Sequence, residues 1–225
     1  MINLTKIYFV RHCEATGNLS RTFQGSTNTD ITDLGAKQLE KLSERFKEIS
    51  LDKIYSSPLL RAYKTAQAIQ GGREIELEVH NGLTELDGGV IENKPFELTF
   101  TQNPTLKEIW LNHPQDFAPE GGEPMRVAYD RIYNTFWDIV NKNKGKKVAC
   151  ATHGGIMRCL FCRLIHDDIS KLVTIPIFDN TAIGLIEISD DNTVEIKFLN
   201  DHTHLPDELL RKSSRPSIYT MGDKK

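Results

Sequence analysis

Apolar residues fall into two rhythms along this chain, and the two alternate. Short runs rich in β-branched and aromatic residues predict strands at 6–10, 51–56, 75–79, 148–151, 183–188 and 194–199. Between them lie stretches of helical spacing. Leu34, Leu39, Leu42, Phe46 and Ile49 share one face of a helix that starts at a Thr32 or Asp33 cap and runs to about 48. Pro58 suits the first turn of a second helix reaching about 69, which Gly71-Gly72 ends. Two more helices are predicted at about 125–141 and 156–165. The last two strands face each other across Asp190-Asp191-Asn192, so these form a hairpin. Strands alternating with helices predict a three-layer α/β/α sandwich with a mostly parallel central sheet. Such a sheet binds its ligands at the carboxyl ends of its strands.

Two internal stretches break the rhythm. Residues 11–30 are polar and hold Gly17, Gly25 and several Asn, Ser and Thr. A connection of that length is often functional. Residues 94–116 mix Phe96, Phe100, Ile109 and Trp110 with polar residues, and Pro95, Pro104 and Pro114 divide them. Those aromatics either line a pocket or fill a small core of their own, and the core is the simpler reading. Residues 212–225, with Ser213-Ser214, Pro216 and Gly222, read as a weakly ordered tail. The organisation expected is a single domain over 1–205 followed by a tail over 206–225, with no internal repeat.

Composition narrows the function classes. A chain of 225 residues fits one domain, and 39% hydrophobic with 26% charged residues is the profile of a soluble globular protein. A formal charge of -3 gives no general affinity for nucleic acid or membrane, so an anion must be drawn by local cations. No apolar run reaches membrane-spanning length. The start of the chain lacks a signal peptide's apolar core, which makes the cytoplasm the expected location. Cys13, Cys150, Cys159 and Cys162 are too few for a disulfide scaffold. Cys159-x-x-Cys162 with His166 has some of the spacing of a metal site, but it lies in an apolar helical run where buried thiols are common. Asp201, His202 and His204 form a second set of that kind, and no metal is assigned to either.

The candidate chemistry sits at strand ends. The first strand stops at Arg11-His12. Arginine is a permanent planar cation suited to phosphate, and histidine serves as nucleophile, base or ligand near neutral pH. A second strand ends in Thr152-His153-Gly154-Gly155, where a helix start favours anions and glycine lets the backbone come close. Arg61 lies one turn into the helix after the strand at 51–56. Asn18 and Gln24 supply neutral donors, and the Gly25 backbone can approach a ligand. Glu85 and Asp87 sit together beside glycines. Cys13 reads either as a thiol activated by Arg11 or as a small residue that fits. Taken singly, each of these is as well explained by a solvated strand end, a polar loop or an acidic turn.

Together they carry a resemblance. Arg11-His12-x-Glu14-x-Thr16-x-Asn18 resembles the signature of the histidine phosphatase superfamily, the phosphoglycerate-mutase-like group. Gln24-Gly25, Leu34-Gly35-x-x-Gln38, Ser56-Ser57-x-Leu59-x-Arg61-Ala62-x-x-Thr65-Ala66, Leu83-x-Glu85, Gly121-Gly122-Glu123 and Thr152-His153-Gly154-Gly155 follow in that family's order, over about 6–199. The resemblance implies a phosphoglycerate mutase-like sandwich. It makes His12 the nucleophile of a phosphohistidine intermediate, with Arg11, Arg61 and His153 holding phosphoryl oxygens. Glu85 becomes the proton donor, with Asp87 as a second candidate, and Asn18, Gln24, Gly25 and Gly154 become substrate contacts. It makes 94–116 an insert that covers the site and sets substrate preference, and it implies neither metal nor cofactor.

The chain departs from that pattern at Cys13, where glycine is usual, and at Pro124, where serine is usual. The function expected is a phosphomonoester hydrolase acting on a small phosphorylated metabolite. A cofactor-dependent phosphoglycerate mutase and a non-catalytic phosphate-ligand binder are the alternatives. The chain length and the stretch Leu83-Thr84-Glu85-Leu86-Asp87-Gly88-Gly89 resemble the phosphatase branch more than the mutases. The partner expected is a small-molecule phosphate ester, with a homodimer left open. The sequence does not name the ester.

Overall fold

The computed structural model describes residues 4–210. Six strands form one sheet: β1 (Thr5–Arg11), β2 (Lys53–Ser56), β3 (Leu77–Val79), β4 (Lys147–Thr152), β5 (Ile183–Ile188) and β6 (Val194–Asp201). Their order is β3-β2-β4-β1-β5-β6. The first four run parallel. β5 runs against β1, and β6 against β5, so β5 alone is reversed. A terminal hairpin on a mostly parallel sheet is expected to put its antiparallel strand at the edge. The reversed strand is instead one place in from the edge. The reason is composition: β5 is apolar and buried almost throughout, whereas β6 carries Glu195 and Lys197 and is half-buried, which suits an edge.

Helices cover both faces: α1 (Thr16–Ser20), α2 (Asp33–Lys47), α3 (Leu60–Gln70), α4 (Phe96–Gln102), α5 (Pro104–Asn112), α6 (Met125–Lys142) and α7 (Gly154–His166). Thr32 caps α2, its hydroxyl accepting from Gly35 N at 3.0 Å. α3 begins two residues after Pro58 and closes at Gly71, whose φ of 58° is a left-handed helix end. The period-two alternation of strands splits the core. Ile7, Phe9 and Val148 pack with Ile132, Phe136 and Leu160 of α6 and α7. Val10, Ile54 and Ala149 pack with Leu42, Phe46 and Ile69 of α2 and α3. The result is a mixed α/β fold of three layers. No helix among the described residues is long and apolar enough to cross a membrane.

The stretch at 94–116 folds as α4, α5 and a 3-10 turn, with Pro104 and Pro114 each opening an element. Backbone bonds stitch its start to the polar stretch after β1. Phe23 N donates to Lys94 O at 3.0 Å, Asn93 N to Phe23 O at 2.9 Å and Phe96 N to Arg21 O at 3.1 Å. Residues 206–210, assigned from sequence to a tail, form a turn whose Leu209 carbonyl accepts from Gln38 Nε2 at 2.9 Å. The rest of that expected tail, 211–225, lies outside the described residues.

Register brings the candidate residues together. Arg11 pairs with Thr152 across β1 and β4, and Ser56 with Ala151 across β2 and β4. Parallel neighbours end at the same side of a sheet. His12, His153 and Ser57, each one residue past its strand, therefore leave the sheet side by side.

Candidate active site

His12 is buried, and its Nδ1 lies 2.6 Å from the Cys13 carbonyl. A carbonyl can only accept, so Nδ1 carries the proton and Nε2 is left with its lone pair. The backbone around it is pinned. His12 N donates to Thr152 O at 2.9 Å, and Asn180 Nδ2 donates to His12 O at 3.0 Å. Burial pushes the His12 pKa well below its ordinary value, and the charges of Arg61 and Arg11 push it further.

Arg61 is 0% exposed and donates only to backbone carbonyls. These are Thr27 O at 2.7 Å, Gly25 O at 2.9 Å and Gln24 O at 3.3 Å. Its Nε has no hydrogen-bond partner, and no carboxylate lies within ion-pair distance of it among the described residues. Burial brings its pKa down to about 10. Glu85 and Glu92 act on its charge from beyond ion-pair distance, and an anion in the adjoining cavity would offset more of the cost of burying it. Arg11 Nη1 donates to the Phe178 carbonyl.

His153 caps α7. Its ring centroid is 5.2 Å from that of His12, at 57°. Nε2 lies 2.8 Å from Ser57 Oγ, and the buried Nδ1 has no partner. Its pKa is also driven well below the ordinary value, by burial first and then by Arg61, His12 and Arg11. Two adjacent histidines are therefore neutral at neutral pH.

Glu85 spans the start of α7. Its oxygens accept from Gly155 N at 2.9 Å, Ile156 N at 3.1 Å and Leu86 N at 3.0 Å. A helix N-terminus is a natural seat for a carboxylate. The two glycines of the Thr152-His153-Gly154-Gly155 turn make room. A Cβ on Gly154 would lie 3.2 Å from Arg11 Nε, and one on Gly155 would lie 2.6 Å from Glu85 Oε1. Asp87, the second acid candidate, caps a turn by accepting from Gly89 N at 2.8 Å.

A cavity of about 620 Å³ joins these groups. Arg11, His12, Asn18, Gln24, Gly25, Arg61, Glu85 and Gly154 all line it; His153 lies behind them, against His12. Asn18 accepts from Ala15 N at 3.0 Å, and Gln24 Oε1 accepts from Thr29 Oγ1 at 2.6 Å. Gly25, though part of the lining, is also packed tightly against its own chain. A Cβ there would meet Glu92 Oε1 at 1.9 Å and Leu86 O at 2.4 Å. Cys13 is no activated thiol, because burial pushes its pKa up to about 12. Cys159 and Cys162 are buried thiols too. No three or more His, Cys, Asp or Glu among the described residues are grouped to hold a metal.

Several contributors have no distinct sequence signal. The Cys13 and Phe178 carbonyls act through backbone atoms, which any residue supplies. Glu92 accepts from Ser26 N at 2.9 Å, Gly88 N at 2.7 Å and Thr27 N at 3.2 Å, and also from the Thr27 hydroxyl, so it ties down the loop that holds Arg61. Arg158 also lines the cavity, and its place one turn after Gly154 on α7 is the signal that could have found it.

The fold and the site together define an α/β protein that gathers buried arginines and neutral histidines at its strand ends around one pocket. The sequence pattern of the histidine phosphatase superfamily (branch 1) matches residues 7–202, so the chain belongs to that superfamily and is a phosphatase. It is 28% identical over 202 residues to phosphoserine phosphatase 1 of Hydrogenobacter thermophilus, covering 90% of this chain and 95% of that protein. It is also 28% identical to phosphoglycerate mutase-like protein 4 of Arabidopsis thaliana, over 98% of this chain and 96% of that one. Among solved structures, YhfR of Bacillus stearothermophilus superposes with a TM-score of 0.84 at 27% identity, covering 89% of this chain and 98% of that one.

Proposed function

We propose that this phosphatase hydrolyses phosphomonoesters through a phosphohistidine on His12, without a metal, in the cytoplasm. One observation carries the reading: the Cys13 carbonyl holds the proton on His12 Nδ1, which leaves Nε2 as a bare nucleophile beside two buried arginines. The lowered pKa of His12 supports it, since a neutral ring is needed for attack.

The step runs as follows. His12 Nε2 attacks phosphorus in line, the N–P bond forms and the P–O bond to the alcohol breaks. Charge on the non-bridging oxygens is met by Arg11 and Arg61 and by the unpartnered Nδ1 of His153. Glu85 hands a proton to the departing alkoxide. Water then attacks phosphorus and passes a proton to Glu85, which releases inorganic phosphate and restores neutral His12. Asn18, Gln24, Gly25 and Gly154 complete the substrate contacts from the lining. The name of the phosphoserine phosphatase relative supports a small phosphate ester as substrate. Free thiols at all four cysteines support a reducing compartment.

The test is phosphate release from a panel of phosphomonoesters in EDTA, by wild type and His12→Ala. Release by wild type with a loss of at least ~10³-fold in the variant is expected, the scale of removing a covalent nucleophile. Release that survives in His12→Ala sinks the mechanism. Release that needs a bisphosphoglycerate primer favours a mutase.

A further inference from the structure

The cavity exceeds what a phosphate and a compact alcohol need. Its 620 Å³ falls within the roughly 300–1,000 Å³ of pockets that bury drug-sized ligands. Beyond the phosphate-handling groups its walls turn apolar. Phe23, Phe96, Phe100 and Trp110 line it from the loop after β1 and from α4 and α5. These rings support one another. Phe23 and Phe96 have centroids 5.6 Å apart, Phe96 and Phe100 5.9 Å, and Phe23 and Trp110 5.9 Å. Phe100 and Phe23 are buried, but Phe96 and Trp110 are only half-buried, so the cluster keeps open ring surface. The backbone bonds between 21–23 and 93–96 hold this shelf against the same loop whose carbonyls seat Arg61.

A compact polar alcohol would leave that shelf wet. Its amine, carboxylate or hydroxyl would find aromatic carbon there; the charged lining residues Arg21, Glu97 and Lys107 are exposed and screened by salt, Arg158 donates to the Ile175 and Leu172 carbonyls, and Asp179 accepts from Asn200 Nδ2. A bulky apolar group would instead displace water from the rings and exclude it from the reacting centre. We propose that the alcohol portion of the substrate has an aromatic or extended apolar body, which docks on Phe96 and Trp110 while its phosphate meets His12.

This rests on the phosphatase reading, and the experiment separates the two. Naphthylethyl phosphate and O-phosphoserine are both alkyl esters, so leaving-group reactivity is similar. With wild type, kcat/KM is expected to be at least ~10-fold higher for naphthylethyl phosphate, the discrimination typical of a hydrophobic pocket. Phe96→Ala should remove most of that advantage through KM, lowering kcat/KM for naphthylethyl phosphate several-fold more than for phosphoserine. Phe96→Leu, which keeps apolar bulk in the cluster, should sit between. Phosphoserine turned over as well as the naphthyl ester, or Phe96 variants that lower both equally, overturns the proposal and leaves the phosphatase reading standing. Release from neither ester, nor from any in the panel, overturns both.

Discussion

The bare Nδ1 of His153 makes sense only together with Ser57. Ser57 Oγ accepts from Leu59 N at 3.3 Å and lies 2.8 Å from His153 Nε2, to which its hydroxyl can donate. With the hydroxyl donating, Nε2 accepts and the ring proton sits on Nδ1, the atom left without a partner. Under the proposed mechanism, in which His153 meets a phosphoryl oxygen, the serine sets which ring nitrogen donates. Ser57→Ala is expected to lower kcat/KM about tenfold, a scale typical of lost outer partners, with stability lowered by ~1 kcal/mol. A loss of stability with kcat/KM unchanged would reduce Ser57 to a structural role. At this scale the sequence was legible where chemistry is written in side chains. Arg11, His12, Arg61, Glu85 and His153 all stand in its short patterns, and the structure brings them together. It was silent where backbone atoms act, as with the Cys13 carbonyl that fixes the His12 tautomer.

Elements with strong periodicity were readable, and those held by single polar side chains were not. α2 and α6 follow from apolar spacing, whereas α1 is five residues long in a polar stretch and has no apolar stripe to betray it. The loop at 22–27 is similar, since its shape depends on Glu92, distant in sequence. Glu92 uses both oxygens as acceptors, for Ser26 N and Gly88 N on one and for Thr27 on the other. In Glu92→Gln only one oxygen remains to accept, and the amide meets donors. The Thr27 carbonyl, an acceptor for Arg61 Nη1 at 2.7 Å, then shifts. The expected result is a loss of ~1 kcal/mol in stability, the scale of hydrogen bonds lost at a part-buried site, and weaker inhibition by inorganic phosphate. The Ki for phosphate and the urea midpoint, measured on one preparation, check both. Phosphate inhibition as strong as in wild type would mean that the loop does not govern Arg61.

The whole fold carries a cost for keeping its histidines neutral beside arginine, and acid exposes it. His12 and His153 are held well below 6.5, and His204 falls to about 4, with burial the first cause in each. The unfolded chain takes up these protons near pH 6.5, but the folded chain does not until lower pH. Below 6.5 the unfolded state therefore binds more protons, and stability falls as pH falls. Each histidine contributes at most about 1.4 kcal/mol per pH unit, so three give a slope of about 4 kcal/mol per unit. That is a large share of an ordinary 5–15 kcal/mol. The lowered aspartates, Asp30, Asp138, Asp168, Asp191 and Asp201, lose their contribution only near and below pH 4, a separate window. Urea unfolding is thus expected to show a plateau above about pH 7 and a steep decline between 6.5 and 5. His153→Asn, which titrates nothing there, should flatten that decline by about a third. A pH-independent midpoint across this range would mean that the two strand-end histidines are not held neutral against a proton, and an unchanged slope in His153→Asn would mean the same of His153.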